Sequence, residues 1–148
     1  MTKETLLIVN SFGSDRPGIV SGGFDVFADY LKDRFNLDFA FANQLDMKND
    51  VLTGKLNGEI VDAARKARIL NQVACDLVIP LDQVVAVGDG ANDALMLTQA
   101  GLGIAYNANN DLERVANAAL SEANFNHIFH LLDITEEDIH EAMSCKII

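Results

Sequence analysis

The chain has no tryptophan, two cysteines, two prolines and half as many basic residues as acidic ones, 11 against 22. A net charge of -11 repels polyanions, so nucleic acid and anionic membrane surfaces are not expected partners. No apolar run approaches the roughly 20 residues that span a bilayer. No N-terminal stretch joins basic residues, a long apolar core and a cleavage site, so the expected location is the cytoplasm. Cys75 and Cys145 lie far apart without CxxC spacing. That reads as idle or buried thiols in a reducing compartment, not as a disulfide. Apolar residues are plentiful, 49% of 148, enough for one domain to bury a core.

The order of elements is legible from short patterns. TLLIVN (5–10) reads as a buried strand. FGSDRPG (12–18) reads as a turn in which Pro17 and Gly18 stop regular structure. Phe24, Phe27, Ala28, Leu31 and Phe35 recur at helical spacing, and residues 39–59 predict short strands about the polar turn Lys48-Asn49-Asp50. Asp62 suits the N-cap of a helix reaching Ala74, with Ala63, Ala67, Leu70 and Ala74 on one face. Val84–Val87 predicts another buried strand, residues 91–100 a helix, 102–106 a strand, 111–117 a short helix and 118–120 a last strand. Helices are expected near 125–132 and 135–143, the second opened by Thr135 with Asp138 in a capping-box pattern. Strands alternating with helices predict one α/β domain with a mostly parallel sheet.

VVAVGDGANDALML (84–97) carries the chemistry. In open α/β sheets ligands sit beyond the carboxyl ends of the strands, where Gly88-Asp89-Gly90 falls. The glycines permit a sharp turn and close approach of a ligand. The third glycine of a dinucleotide fingerprint is replaced by Asp93, whose carboxylate would repel a pyrophosphate. Carboxylates at a strand end instead suit Mg²⁺ bridging to phosphate oxygens and water. Asn92 can donate to an anion near the helix start; the plainer alternative is that Asp89 and Asn92 only cap the helix. Ser21-Gly22-Gly23 precedes a helix and could cradle an oxyanion, and Lys66 could neutralise a phosphate and pair with a nearby Asp. Each is weak alone, since most such glycine pairs are turns and most helical lysines are solvated.

In this order, SGGFDVFADYLKDRFNLDFAFANQL, LTGKLNGEIVDAARKARIL and VVAVGDGANDALMLTQAGLGIAYNA resemble consecutive blocks of bacterial phosphoserine phosphatases of the haloacid dehalogenase superfamily, over about residues 18–132. GDGxND alone is shared more widely; its combination with SGGF, FAN and the 62–67 block is specific. The resemblance implies a Rossmannoid core over 18–148 and a small phosphorylated metabolite, phosphoserine-like, as substrate. It implies that Ser21 and the Gly22 amide bind the phosphoryl group, that Lys66 stabilises its charge, and that Asn92 contacts it. It further implies that Asp89 ligates Mg²⁺ and that Asp93 supports metal and lysine. Phosphoryl transfer is mainly positioning plus charge neutralisation, which such residues supply.

The family's nucleophile does not fit. Its DxDxT/S motif follows the first core strand, and this chain contains no Asp-x-Asp. The aligned TLLIVN-SFGS would put Asn10 and Phe12 in place of the acids, and neither can attack phosphorus or transfer the proton. Only ten residues separate Asn10 from Ser21, where the family inserts its helical cap, so the cap is expected to be absent. LLIVNSFGSDRPGIV in turn resembles the start of an ACT domain, so residues 1–17 read as an ACT-like remnant or a degenerate first motif, joined by internal deletion. The function expected by family is Mg²⁺-dependent phosphomonoester hydrolysis in serine biosynthesis, impaired here. The alternative is a non-catalytic Mg²⁺- and anion-binding pseudophosphatase or regulatory fragment. A sheet left open at its centre would expose strand edges and favour a homodimer.

Other candidates are weaker. His127 and His130 lack the companions of a zinc site. Residues 46–50 lack the glycine and terminal glutamate of a calcium loop. Asp15-Arg16 reads as a surface turn more readily than as an amino-acid site. A response-regulator receiver would need an acidic pair where Asn10-Ser11 stands.

Overall fold

The computed structural model describes residues 4–11 and 14–121. Seven strands form one sheet in the order β4-β3-β2-β1-β5-β6-β7. They are β1 (Glu4–Ser11), β2 (Ser14–Phe24), β3 (Phe39–Lys48), β4 (Val51–Asn57), β5 (Val84–Gly88), β6 (Leu102–Tyr106) and β7 (Ala118–Leu120). The helices are α1 (Asp25–Phe35), α2 (Ala63–Asp76), α3 (Ala94–Gln99) and α4 (Asn110–Val115). β2, β3, β5, β6 and β7 run one way; β1 and β4 run the other. The expected alternating α/β order and mostly parallel sheet are both found, and the described residues form no cap.

The centre of the sheet departs most from expectation. β1 fills it, but reversed, antiparallel to β2 on one side and to β5 on the other. The connection dictates this. Two residues separate β1 from β2, whereas a parallel crossover needs a dozen or more. Asn10 therefore faces Asp15, and Val9 faces Val84 at the start of β5. Asn10 lies at the end of the sheet remote from Asp89, so it does not take the place of the missing nucleophile. The same strand closes the open centre that was the reason to expect a homodimer.

The turn expected at 12–18 is corrected too. β2 passes through Pro17 and Gly18 and across the boundary drawn after residue 17. Its pairing with β3 begins only at Gly18↔Phe39, so Ser14–Pro17 has a strand on one side alone, the setting in which proline is tolerated. Arg16 is held there by Asp38 at 2.7 Å.

β5 is buried along its whole length, as a strand covered on both faces must be. Val84 and Ala86 pack with Ile69, Leu70, Met96 and Leu97, while Val85 and Val87 join Ile104 on the other side. α2 begins where expected: Asp62 accepts from the Arg65 amide at 2.8 Å, and Ala67, Leu70 and Ala74 are buried. The β3–β4 hairpin turns through Asn49 and Asp50 at positive φ, as the polar turn predicts. The helix expected over 91–100 starts as a 3-10 turn, Ala91–Asp93, before α3. α1 buries Ala28 but leaves Phe24, Phe27 and Phe35 exposed, so its apolar stripe is not a core face. Cys75 is an exposed free thiol. Among the described residues no helix is long and apolar enough to cross a membrane. The helices expected beyond residue 124, both histidine candidates and Cys145 lie outside the described residues.

Candidate functional site

The carboxyl ends of β2 and β5 and the start of α3 bring the candidate residues to one end of the sheet. Gly88 ends β5, and its glycine is required by packing. A Cβ there would lie 2.5 Å from Asp93 Cβ and 2.7 Å from its Oδ2. The close approach that Gly88 permits is thus that of Asp93. Asp93 is 1% exposed. Its Oδ2 accepts from the amides of Gly90, at 3.0 Å, and Asp89, at 3.2 Å. Its Oδ1 accepts from Lys66 Nζ at 2.7 Å.

Lys66 is fully buried on α2, though the helix would bring most lysines to solvent. A buried cation needs a hydrogen-bonded counter-charge, and Asp93 provides it. Lys66 therefore has the acidic neighbour foreseen for it. Asp93, not Asp89, also satisfies the turn's amides, which removes the reading of Asp89 as a simple cap. Asp89 Oδ1 is buried with no hydrogen-bond partner, alone in this among side chains of the described residues. An orphaned carboxylate oxygen is costly unless something binds it. A hard cation fits it. The described residues show no cluster of three or more His, Cys, Asp or Glu.

The anion side is built from β2. Ser21 is 4% exposed, and its Oγ accepts from the Gly23 amide at 2.9 Å, which tightens the loop. Gly22 stands next to Asn92: a Cβ on Gly22 would lie 3.7 Å from Asn92 Nδ2. Residues 22 and 92, seventy positions apart, thereby meet. Asn43, in the FAN stretch of β3, had been given no role of its own. It is buried; its Nδ2 donates to Gly22 O at 2.9 Å and its Oδ1 accepts from the Val61 amide at 2.8 Å. One side chain thus ties the Ser21-Gly22 loop to the approach of α2. Its signal is a polar amide directly after the apolar run Phe39–Ala42. A cleft of about 300 Å³ opens to one side, lined by Asp25, Asp29, Gln44, Glu59 and Arg65; Ser21, Gly22, Lys66, Asp89, Asn92 and Asp93 are not part of its lining.

The fold and this site match a known class. A model of the haloacid dehalogenase-like hydrolases matches residues 24–132, and the chain belongs to that family. Within it, the relatives are phosphoserine phosphatases. The chain is 47% identical over 119 residues to that of Archaeoglobus fulgidus, spanning 80% of this chain and 35% of the relative. It is 46% identical over 125 residues to that of Streptomyces coelicolor, spanning 84% and 30%. A probable phosphoserine phosphatase of Vibrio cholerae, solved without ligand, superposes with a TM-score of 0.74 at 39% identity, covering 82% of this chain and 38% of that one. A phospho-aspartyl intermediate analogue of phosphoserine phosphatase gives 0.70 at 40% identity, covering 76% and 54%. The chain thus spans about a third of the length of the two relatives.

Proposed function

We propose that this chain binds Mg²⁺ together with the phosphoryl group of a small, phosphoserine-like metabolite, and hydrolyses it poorly or not at all. The observation that carries the reading is the buried, unpartnered Oδ1 of Asp89, beside a lysine held in place by Asp93. Asp89 would hold the metal, which supplies positive charge to phosphoryl oxygens when bound. Lys66 supplies a fixed positive charge that needs no reorganisation. Ser21 keeps a hydroxyl proton to donate while its oxygen accepts from Gly23. Asn92 beside Gly22 adds an amide donor. These groups bind and neutralise; the chain has no Asp-x-Asp to attack phosphorus. A pseudophosphatase or regulatory role is therefore favoured over turnover, and the shortened N-terminal region is attributed to internal deletion.

The test combines release and binding. Phosphate release from phosphoserine and from an aryl phosphate is followed with and without Mg²⁺, beside Asp89→Asn and Lys66→Met checked for folding by circular dichroism. Release at background, with Mg²⁺-dependent phosphate binding lost in Asp89→Asn, is the expected result. Mg²⁺-dependent release that vanishes in both variants would overturn the proposed impairment. Failure to bind Mg²⁺ or phosphate would overturn the binding reading. Self-association belongs with these proposals: Val51 and Leu52 on the edge strand β4, and Ile60 after it, remain exposed, and sedimentation of a stable monomer would reject it.

A further inference from the structure

The Ser21–Gly23 stretch stands out of the sheet ladder. β2 advances from Val20 to Phe24 while β3 advances only from Phe41 to Asn43, an irregularity of the kind that re-aims groups beside a site. Side chains take up the backbone groups there. Asn43, 6% exposed, donates from Nδ2 to Gly22 O at 2.9 Å. The next amide along, that of Gly23, donates to Ser21 Oγ at 2.9 Å. This carbonyl and this amide belong to one planar trans peptide unit and point opposite ways. The unit joins two glycines, whose backbone would otherwise turn with little restraint. Asn43 and Ser21 pin it at both ends.

The bonds also run in one sense. The Asp62 amide donates to Ile60 O at 3.0 Å. The other end of that peptide unit, the Val61 amide, donates to Asn43 Oδ1 at 2.8 Å. One partner of Asn43 is a donor and the other an acceptor, which fixes the way its amide faces. Each unit in the series accepts on one side and donates on the other. The series ends on Ser21 Oγ, which accepts from Gly23 and keeps its own proton to give. Aligned bonds of this kind polarise one another, the more so away from water.

We propose that Asn43 is a positioning residue for the anion: through the Gly22–Gly23 peptide it holds and polarises Ser21 Oγ, so that the hydroxyl proton is presented to a phosphoryl oxygen. The inference rests on the reading of Ser21 as a phosphoryl contact. Asn43 acts at one remove, from its buried place on β3. The series begins at Asp62, the N-cap of α2, so the Ser21 hydroxyl and the helix that carries Lys66 are tied by one line of bonds.

The experiment titrates inorganic phosphate into the full chain with Mg²⁺, by calorimetry, with no turnover involved. Wild type, Ser21→Ala, Asn43→Ala and the double variant are compared, each checked for folding by circular dichroism. Ser21→Ala is expected to weaken phosphate binding about tenfold and Asn43→Ala about fivefold. In the Ser21→Ala background, Asn43→Ala should cost less than about twofold, because the hydroxyl it works through is gone. A residue that only held the strand would lower the urea midpoint without this coupling. Equal losses from Asn43→Ala in both backgrounds, or none in either, would overturn the positioning role and leave the proposed function standing. A wild type that binds no phosphate would overturn both. Should Asn43→Ala not fold, NMR of the wild type decides. As phosphate saturates the chain, the Gly23 amide and Asn43 side-chain amide protons are expected to move downfield, and the Asn43 movement to vanish in Ser21→Ala. The Asn117 side-chain amide, whose Oδ1 accepts from the Gly103 amide near the start of β6, should stay in place. An Asn43 resonance indifferent to phosphate would overturn the role.

Discussion

Replacing Asp93 by Asn tests the site at its most buried point. The substitution keeps the shape that fits against Gly88 but removes the charge opposing Lys66. Both partners of the 2.7 Å pair are essentially inaccessible, at 0% and 1% exposure. An uncompensated charge left in such a place costs about 3–5 kcal/mol. In a chain of this size that lowers Tm by about 10–15 °C. The asparagine amide group also presents donors toward a carboxylate's place among the Asp89 and Gly90 amides, which adds to the cost. Urea unfolding of the wild type, Asp93→Asn, Lys66→Met and the double variant closes a double-mutant cycle. The double variant has no charge left to strand, so its cost is expected to fall short of the summed single costs by more than about 1 kcal/mol. A single-variant cost below about 1 kcal/mol, or additivity within about 0.5 kcal/mol, would refute the claim that the two charges depend on each other.

Four further outcomes follow from the geometry. Gly88→Ala forces a Cβ to within 2.5 Å of Asp93, and is expected to destabilise by about 1–3 kcal/mol in urea titration. Gly22→Ala meets only ordinary contacts, at 3.7 Å; its stability should stay within about 0.5 kcal/mol of wild type while phosphate binding by calorimetry weakens. Asn43→Ala leaves Gly22 O and the Val61 amide without their shared partner, a loss of about 1–3 kcal/mol, and should loosen hydrogen-exchange protection of the Val61 amide. Asp62→Ala removes the cap on the Arg65 amide, and is expected to cost about 1 kcal/mol, seen as a lower urea midpoint.

Most of the elements were legible because their signals are local. The all-apolar run of β5, the Asp62 cap of α2 and the Asn49-Asp50 turn each need only a few neighbouring residues to be recognised. The order of motifs around Ser21, Lys66 and Asp89 was enough to anticipate the family. The helical spacing of residues 24–35 correctly marks α1, but spacing gives a stripe and not what lies against it; Phe27 stays 57% exposed. Asn43 went unassigned since its two partners, Gly22 and Val61, are distant in sequence.

By itself the sequence determined the periodicities, the caps, the glycine turn at 88–90 and the absence of Asp-x-Asp. Tertiary structure alone decided that Asp93 spends both carboxylate oxygens on Lys66 and the turn. It also decided which end of TLLIVN meets the site. An apolar strand fits a sheet in either direction, because its faces and hydrogen-bonding edges serve both. The short link to β2 permits only the antiparallel arrangement, and pairing on both sides with β2 and β5 then sets the register that places Glu4 opposite Ser21.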